Sequence, residues 1–205
     1  MSRKRVVVFI SGGGSNMEKL IEASKAADYP AEIIAVFSDK ANAGGLDKAK
    51  LQGVETFVFE RASFVSKQAH EDAILQQLDA LAPDIICLAG YMRIISANFI
   101  KPYEGKILNI HPSLLPLFPG LHTHQRAIDA GVKIAGCTVH IVTEGMDEGP
   151  ILAQAVVPVL ASDNADSLSA RVLKQEHRLY PQTLRNFIDK KCNITSDQQS
   201  LISFG

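Results

Sequence analysis

Residues 6–10, Val6-Val7-Val8-Phe9-Ile10, are a continuous β-branched and aromatic run with no polar alternation. Such a run suits a central strand of a parallel sheet, covered on both faces. It stops at Ser11-Gly12-Gly13-Gly14-Ser15-Asn16, after which Met17, Leu20 and Ile21 recur at helical spacing and the small Ser24 and Ala27 continue that face. In a strand, glycine loop and helix, unpaired backbone N–H groups and the helix dipole can hold a phosphate. The loop lacks the G-K-[ST] of a Walker A motif. A dinucleotide fingerprint, G-x-G-x-x-G, is also a poor match, because Met17 stands at its third glycine.

The alternation continues along the chain. Residues 33–37, 56–59 and 85–89 read as strands separated by helical patterns at 44–51 and 67–81, and residues 106–110 supply a fifth strand. This order predicts an α/β fold, a Rossmann-like open, mostly parallel twisted sheet with helices on both faces. Ligands in such sheets gather outside the carboxyl ends of the strands, so the glycine loop and the segment after the fifth strand are expected to share a crevice. Residues 124–130 read as a short helix, 136–142 as a strand, and 151–160 as another whose Pro158 favours an edge. Residues 162–189 read as one long helix, started near Asp163 or Ser167 and kinked or divided by Pro181. The tail after Lys190 is polar and short. With 205 residues and 46% hydrophobic composition there is enough material for one large core, so residues 1–205 are expected to form a single domain.

With 21 basic and 22 acidic residues, the chain has no general attraction for nucleic acid, and any anion site must be built locally. No apolar run reaches the roughly 20 residues of a membrane span. The short start before Val6 does not resemble a signal peptide, so a cytoplasmic protein is expected. Cys87, Cys137 and Cys192 are odd in number and lack C-x-x-C spacing, and are read as reduced, mostly buried thiols. Cys137 is read as packing. His122, His124 and His140 fit no closed zinc signature, so no metal is expected. His70 is read as a helix-surface residue.

The most chemically pointed stretch is Asn109-Ile110-His111-Pro112-Ser113-Leu114-Leu115-Pro116. An amide and an imidazole two residues apart point to one side of an extended segment. Asn109 can donate to an oxygen gaining negative charge, and His111 can carry a proton near neutral pH. The pair is equipped for acyl transfer. Asp147, in a loop between Gly145 and Gly149, is a carboxylate that would favour the imidazolium form of His111 if the two met.

Together with Gly12-x-Gly14-Ser15-Asn16 and Met146-Asp147-Glu148-Gly149-Pro150, this octet closely resembles the phosphoribosylglycinamide formyltransferases, the folate-dependent enzymes of purine synthesis. The resemblance runs from residue 6 to about residue 188. Its most specific pieces are the octet, Gly90-Tyr91-Met92-Arg93-Ile94-Ile95, Pro119-Gly120-Leu121-His122-Thr123-His124 and Gln175-Glu176-His177. It implies formyl transfer from 10-formyltetrahydrofolate, as co-substrate, to the amine of 5'-phosphoribosylglycinamide, by direct attack through a tetrahedral intermediate. The family pattern makes Asn109, His111 and Asp147 catalytic. It assigns the ribonucleotide to Gly14, Ser15, Asn16, Gln175 and Glu176. The folate falls to Lys67, Met92, Arg93, Ile94, Ile95 and Asn109, and to the loop Thr143, Glu144, Gly145, Met146 and Asp147. His122 and His140 take supporting places. Lys67 stands where some relatives carry Arg, which keeps the charge and loses the bidentate fork.

The implied partners are small molecules, with neither nucleic acid nor membrane, and the implied assembly is a monomer or homodimer. Methionyl-tRNA formyltransferase and formyltetrahydrofolate hydrolase share parts of the pattern but carry additional domains, which the short flanks of this chain are not expected to supply. A dinucleotide-binding protein using the glycine loop, with Asp39 taking a ribose, is the remaining alternative, and it gives no role to Asn109 and His111.

Overall fold

A computed structural model describes residues 2–192. The chain divides into two compact units that meet in sequence between Leu108 and Asn109. The first contains β1 (Lys4–Ile10), α1 (Ser15–Ser24), β2 (Ala31–Ser38), α2 (Gly44–Leu51), β3 (Glu55–Val58), α3 (Lys67–Leu81), β4 (Ile85–Leu88) and α4 (Ala97–Ile100). The boundary falls inside β5 (Ile107–His111). The second unit continues with α5 (Thr123–Asp129), β6 (Ile134–Ile141), β7 (Ile151–Pro158) and α6 (Ala165–Ile188). Hydrogen bonding orders the seven strands β3-β2-β1-β4-β5-β6-β7. β1 pairs in parallel with β2 and β4, and β2 with β3, whereas β6 and β7 are antiparallel. The expected mostly parallel α/β sheet is therefore the observed one, with β7 at its edge.

In the first unit, Val6 to Ile10 are all 0% exposed, as an unbroken apolar strand requires. Phe9 stacks on Phe37 with ring centroids 5.1 Å apart and meets Tyr91 edge-on at 5.2 Å. Such pairs add about 0.5–1.5 kcal/mol beyond their buried area. The Phe9–Tyr91 contact also ties the segment after β4 to the central strand. α4 is a helix that sequence periodicity does not reveal, because four residues carry no repeat. It forms where Ser96 caps it, accepting from the N–H of Phe99 at 3.3 Å. Glu71 of α3 in turn accepts from the backbone N–H of Ser96 at 3.0 Å and from its hydroxyl.

One sequence expectation is corrected. His70 is 3% exposed, not on the surface, and its Nε2 lies 2.8 Å from the Phe59 carbonyl. α6 begins at Ala165, with Asp163 and Ser167 near its start as expected. Asn164 caps it by accepting from Ser167 N–H at 2.9 Å, and the Ser167 hydroxyl closes a capping box. Asp163 instead accepts a bidentate pair from Arg171, at 2.6 and 2.8 Å. Pro181 lies inside α6 without dividing it, and the helix packs on β6 and β7. The cysteines among the described residues are free thiols, with Cys87 and Cys137 buried. Burial, with Glu176 nearby, pushes the Cys137 thiol well above its ordinary range, which agrees with packing and not with a nucleophile. No helix among the described residues is long and apolar enough to cross a membrane. Beyond Cys192, the tail expected to be polar lies outside the described residues.

Candidate active site

Strand alternation at the end of β5 buries Ile110 and sends Asn109 and His111 to the opposite side. The loop that follows is held by a buried polar network. Thr138 Oγ1 on β6 donates to the Ser113 carbonyl at 2.6 Å and accepts from the N–H of Leu115 at 3.0 Å. Gln154 on β7 donates to the Leu115 carbonyl at 2.9 Å and lies at the same distance from Thr138 Oγ1. The Leu115–Pro116 bond within this loop is cis.

His111 is 6% exposed. Its Nε2 faces the Phe118 carbonyl at 3.1 Å and its Nδ1 faces Asp147 Oδ2 at 3.4 Å. Both ring nitrogens thus face oxygen acceptors. Asp147 is itself held by the N–H of Gly120, which donates to Oδ2 at 2.9 Å. Its backbone is left-handed, with φ of 59°. Asp tolerates that conformation better than most residues, and strain of this kind gathers at functional sites. Nearby, a Cβ on Gly149 would lie 1.7 Å from the Ile141 carbonyl oxygen, so only glycine lets the loop close onto β6 here.

Asn109 is oriented by His140. The ring Nδ1 of His140 sits 3.1 Å from the Ile141 carbonyl and therefore carries the hydrogen, leaving a lone pair on Nε2 in the neutral ring. Asn109 Nδ2 donates to that nitrogen at 3.1 Å. Burial holds His140 below the usual histidine range, against the opposing effects of the Ile141 carbonyl and Asp147. Asp147 Oδ1 at 3.8 Å from a neutral ring is thus no ion pair. With one amide hydrogen used by His140, the other remains for a reacting oxygen. The register of β6 against β7 shifts between Val139 and His140, the kind of irregularity that re-aims a side chain. Asn109, His111, His140 and Asp147 are therefore brought together within the second unit.

The remaining expected site residues fall as follows. In the first unit Gly14 caps α1 at φ of 68°, Ser15 opens the helix, and Asn16 is 8% exposed. Met17 is fully buried, so the third glycine position of the dinucleotide pattern is filled by core packing. Gly45 of α2 donates to the Gly12 carbonyl at 3.0 Å, and a Cβ on it would lie 3.0 Å from Gly14 Cα. A cavity of about 340 Å³ in this unit is lined by Lys67, Met92, Arg93, Ile94 and Ile95, among others. Met92 and Ile94 are 60% and 70% exposed. Asp39 is ion-paired with Arg93 at 2.6 Å.

In the second unit Gln175 and Glu176 lie on α6. Gln175 Oε1 is a buried acceptor with no hydrogen-bond partner among the described residues. Met146 is 56% exposed, Thr143 and Glu144 of the same loop are exposed, and Gly145 is half-buried. His122 caps α5 in a left-handed conformation. The roles of Thr138, Gln154 and Asp39 carry no local signal in the sequence, since each acts through a partner at least 16 residues away.

A family profile described as formyl transferase matches residues 4–184. The chain is 45% identical over 189 residues to the phosphoribosylglycinamide formyltransferase of Escherichia coli K12, covering 92% of this chain and 89% of that protein. It is 42% identical to the trifunctional purine biosynthetic protein adenosine-3 of Drosophila melanogaster, covering 97% of this chain and 15% of that much longer protein. The crystal structure of phosphoribosylglycinamide formyltransferase from Brucella melitensis superposes with a TM-score of 0.89 at 72% identity, over 91% of this chain and 96% of that one. An octet and loop built for acyl transfer, a matching fold and a match along nearly the whole described chain lead to one conclusion: this chain belongs to the formyl transferase family.

Proposed function

We propose that this enzyme transfers the formyl group of 10-formyltetrahydrofolate to the amine of 5'-phosphoribosylglycinamide, giving formylglycinamide ribonucleotide and tetrahydrofolate. The observation that carries the reading is the grouping of Asn109, His111, His140 and Asp147, supported by relatives named for this activity. The amine nitrogen attacks the formyl carbon, and the carbonyl oxygen becomes an oxyanion. Asn109 donates its second amide hydrogen to that oxygen, and protonated His111 stabilises it and delivers a proton to the departing folate nitrogen. Asp147 keeps His111 charged and can return protons through water. The attacking nitrogen gives up its proton through water to Asp147 as the bond from the formyl carbon to the folate nitrogen breaks; because the amine attacks the formyl carbon directly, no covalent adduct with the enzyme forms.

Gly14, Ser15 and Asn16 are read as the holders of the ribonucleotide phosphate, in keeping with a glycine turn at a helix start. Gln175, with its buried acceptor, and Glu176 are read as holding the same substrate. The cavity walled by Met92, Ile94 and Ile95, with Lys67 and Arg93 at hand, is read as the site for the folate body, because it combines apolar walls with a few polar groups. Thr143, Glu144, Gly145, Met146 and Asp147 in the second unit are also read as folate-binding, and His122 as supporting the substrate loop. The two units act as one formyltransferase domain, a cytoplasmic monomer or homodimer working on small molecules.

The test is an assay of the purified enzyme with 10-formyltetrahydrofolate and glycinamide ribonucleotide, following release of deformylated folate. One folate released for each formylated ribonucleotide is expected. Absence of ribonucleotide-dependent release would overturn the reading.

A further inference from the structure

The segment between β4 and α4 forms part of the cavity wall, and each of its fastenings lies within the first unit. Ser11 donates its N–H to the Gly90 carbonyl at 3.1 Å, and its hydroxyl accepts from the N–H of Met92 at 2.8 Å. Tyr91 is clamped against Phe9. One further fastening is unusual. Arg93, with 44% of its side chain exposed, donates from Nε to Asp39 Oδ2 at 2.6 Å, while the Asp39 side chain is only 1% exposed. The other carboxylate oxygen, Oδ1, is buried with no hydrogen-bond partner among the described residues.

Stability does not account for this pair. An ion pair with a half-exposed arginine contributes little, whereas a buried carboxylate oxygen left without a donor is costly. What the contact does achieve is orientation. A guanidinium held at Nε keeps its two Nη groups as a planar fork. Neither Nη donates a hydrogen bond among the described residues, although Arg93 lines the cavity. Arg61 and Lys67 line it as well. Its one carboxylate, Glu71, is already engaged by Ser96 and lies 3.7 Å from Lys67. A ligand with an apolar body and an anionic end matches this lining.

We infer that Asp39 is a positioning residue for the formyl donor: by gripping Arg93 through Nε, it presents the free Nη fork to a carboxylate on the donor's glutamyl tail. The inference rests on the reading of this cavity as the folate site. Binding of tetrahydrofolate, and of tetrahydropteroate, which lacks the glutamyl group, is measured by calorimetry on the full-length enzyme and on Asp39→Ala, Asp39→Asn, Arg93→Met and the double variant Asp39→Ala/Arg93→Met. Asp39→Ala is expected to weaken tetrahydrofolate about tenfold and to leave tetrahydropteroate within twofold, with Asp39→Asn intermediate. In the Arg93→Met background, Asp39→Ala adds no further loss. In turnover the effect is confined to the KM for the formyl donor.

Equal weakening of both ligands, an unchanged affinity for tetrahydrofolate, or a full extra loss in the double variant would overturn the positioning role while leaving the cavity reading intact. Should Asp39→Ala not fold, Asp39→Asn carries the same comparison. A wild-type enzyme that binds neither pterin overturns the cavity reading, and this inference with it.

Discussion

His111 lies between two acceptors, the Phe118 carbonyl and the Asp147 carboxylate, in a nearly dry setting. A donor aimed at developing charge in such a place is worth about 10²-fold or more in rate. His111→Ala is therefore expected to lower kcat by at least about 10²-fold, with substrate binding and melting temperature close to wild type. Calorimetric binding alongside steady-state kinetics checks this, and ordinary turnover would refute the role. His140 has the opposite character, because burial keeps it neutral and its lone pair orients Asn109. Protonation would turn Nε2 into a donor facing a donor. The unfolded chain takes up this proton near the ordinary histidine value of about 6.5, and the folded protein only at lower pH. The contribution of His140 to stability is thus complete above about 6.5 and is lost as pH falls through its lowered folded value. Half-buried His124, also lowered by burial, acts with the same sign. Replacing His140 with Leu is expected to flatten the acid-side fall in melting temperature and to reduce kcat more than KM. A melting series from pH 8 to 5 on both proteins checks it.

At the scale of elements, two glycines set where loops lie. Gly45, near the start of α2, touches the glycine turn so closely that an added Cβ would lie 3.0 Å from Gly14 Cα and 3.1 Å from the Gly12 carbonyl oxygen. Gly45→Ala is expected to raise the KM for glycinamide ribonucleotide several-fold while the donor KM holds, because it displaces the turn and leaves the Asn109 and His111 strand alone. In Gly149→Ala the new Cβ meets the Ile141 carbonyl oxygen, and overpacking of this kind costs about 1–3 kcal/mol. Activity should fall further than stability, since the same loop carries Asp147. Denaturant melts and kcat on one preparation separate the two effects. At the start of α6, Arg171 beside Asp163, helped by the Leu160 N–H, holds that carboxyl well below the usual carboxylate range. Its support of the folded state is present above the ordinary value of about 3.9 and is lost as pH falls through the lowered folded value. Asp163→Asn should melt lower than wild type at pH 7, and the gap should close below about pH 4, a trend that thermal scans can follow.

For the whole molecule, β5 belongs in part to each compact unit, since the boundary at Leu108 and Asn109 falls within it. A chain acting as one domain is expected to melt in a single transition whose calorimetric and van't Hoff enthalpies agree. Two resolved transitions would count against the single-domain reading. Ligands that bind only the folded state stabilise it by about 2.7 kcal/mol at one hundred times their Kd. Glycinamide ribonucleotide and tetrahydrofolate should therefore each raise the melting temperature of the complete chain. The formyl transferase match from residue 4 to residue 184 takes in both units.

The sequence by itself determined the order of the strands and of the longer helices, because these announce themselves through local periodicity: the apolar runs of β1, β2 and β4, and α3 at Lys67–Leu81 as read from its spacing. It also singled out Asn109 and His111, whose common side follows from the pleat alone. Only the tertiary structure decided what holds those residues in place. The grip of His140 on Asn109 spans 31 residues, that of Thr138 on Leu115 spans 23, and that of Asp39 on Arg93 spans 54. The short α4 and the burial of His70 belong with these, since both are fixed by side chains from other elements. Hydrogen bonds across such distances depend on where strands come to lie beside one another, and no repeat within a single segment encodes that.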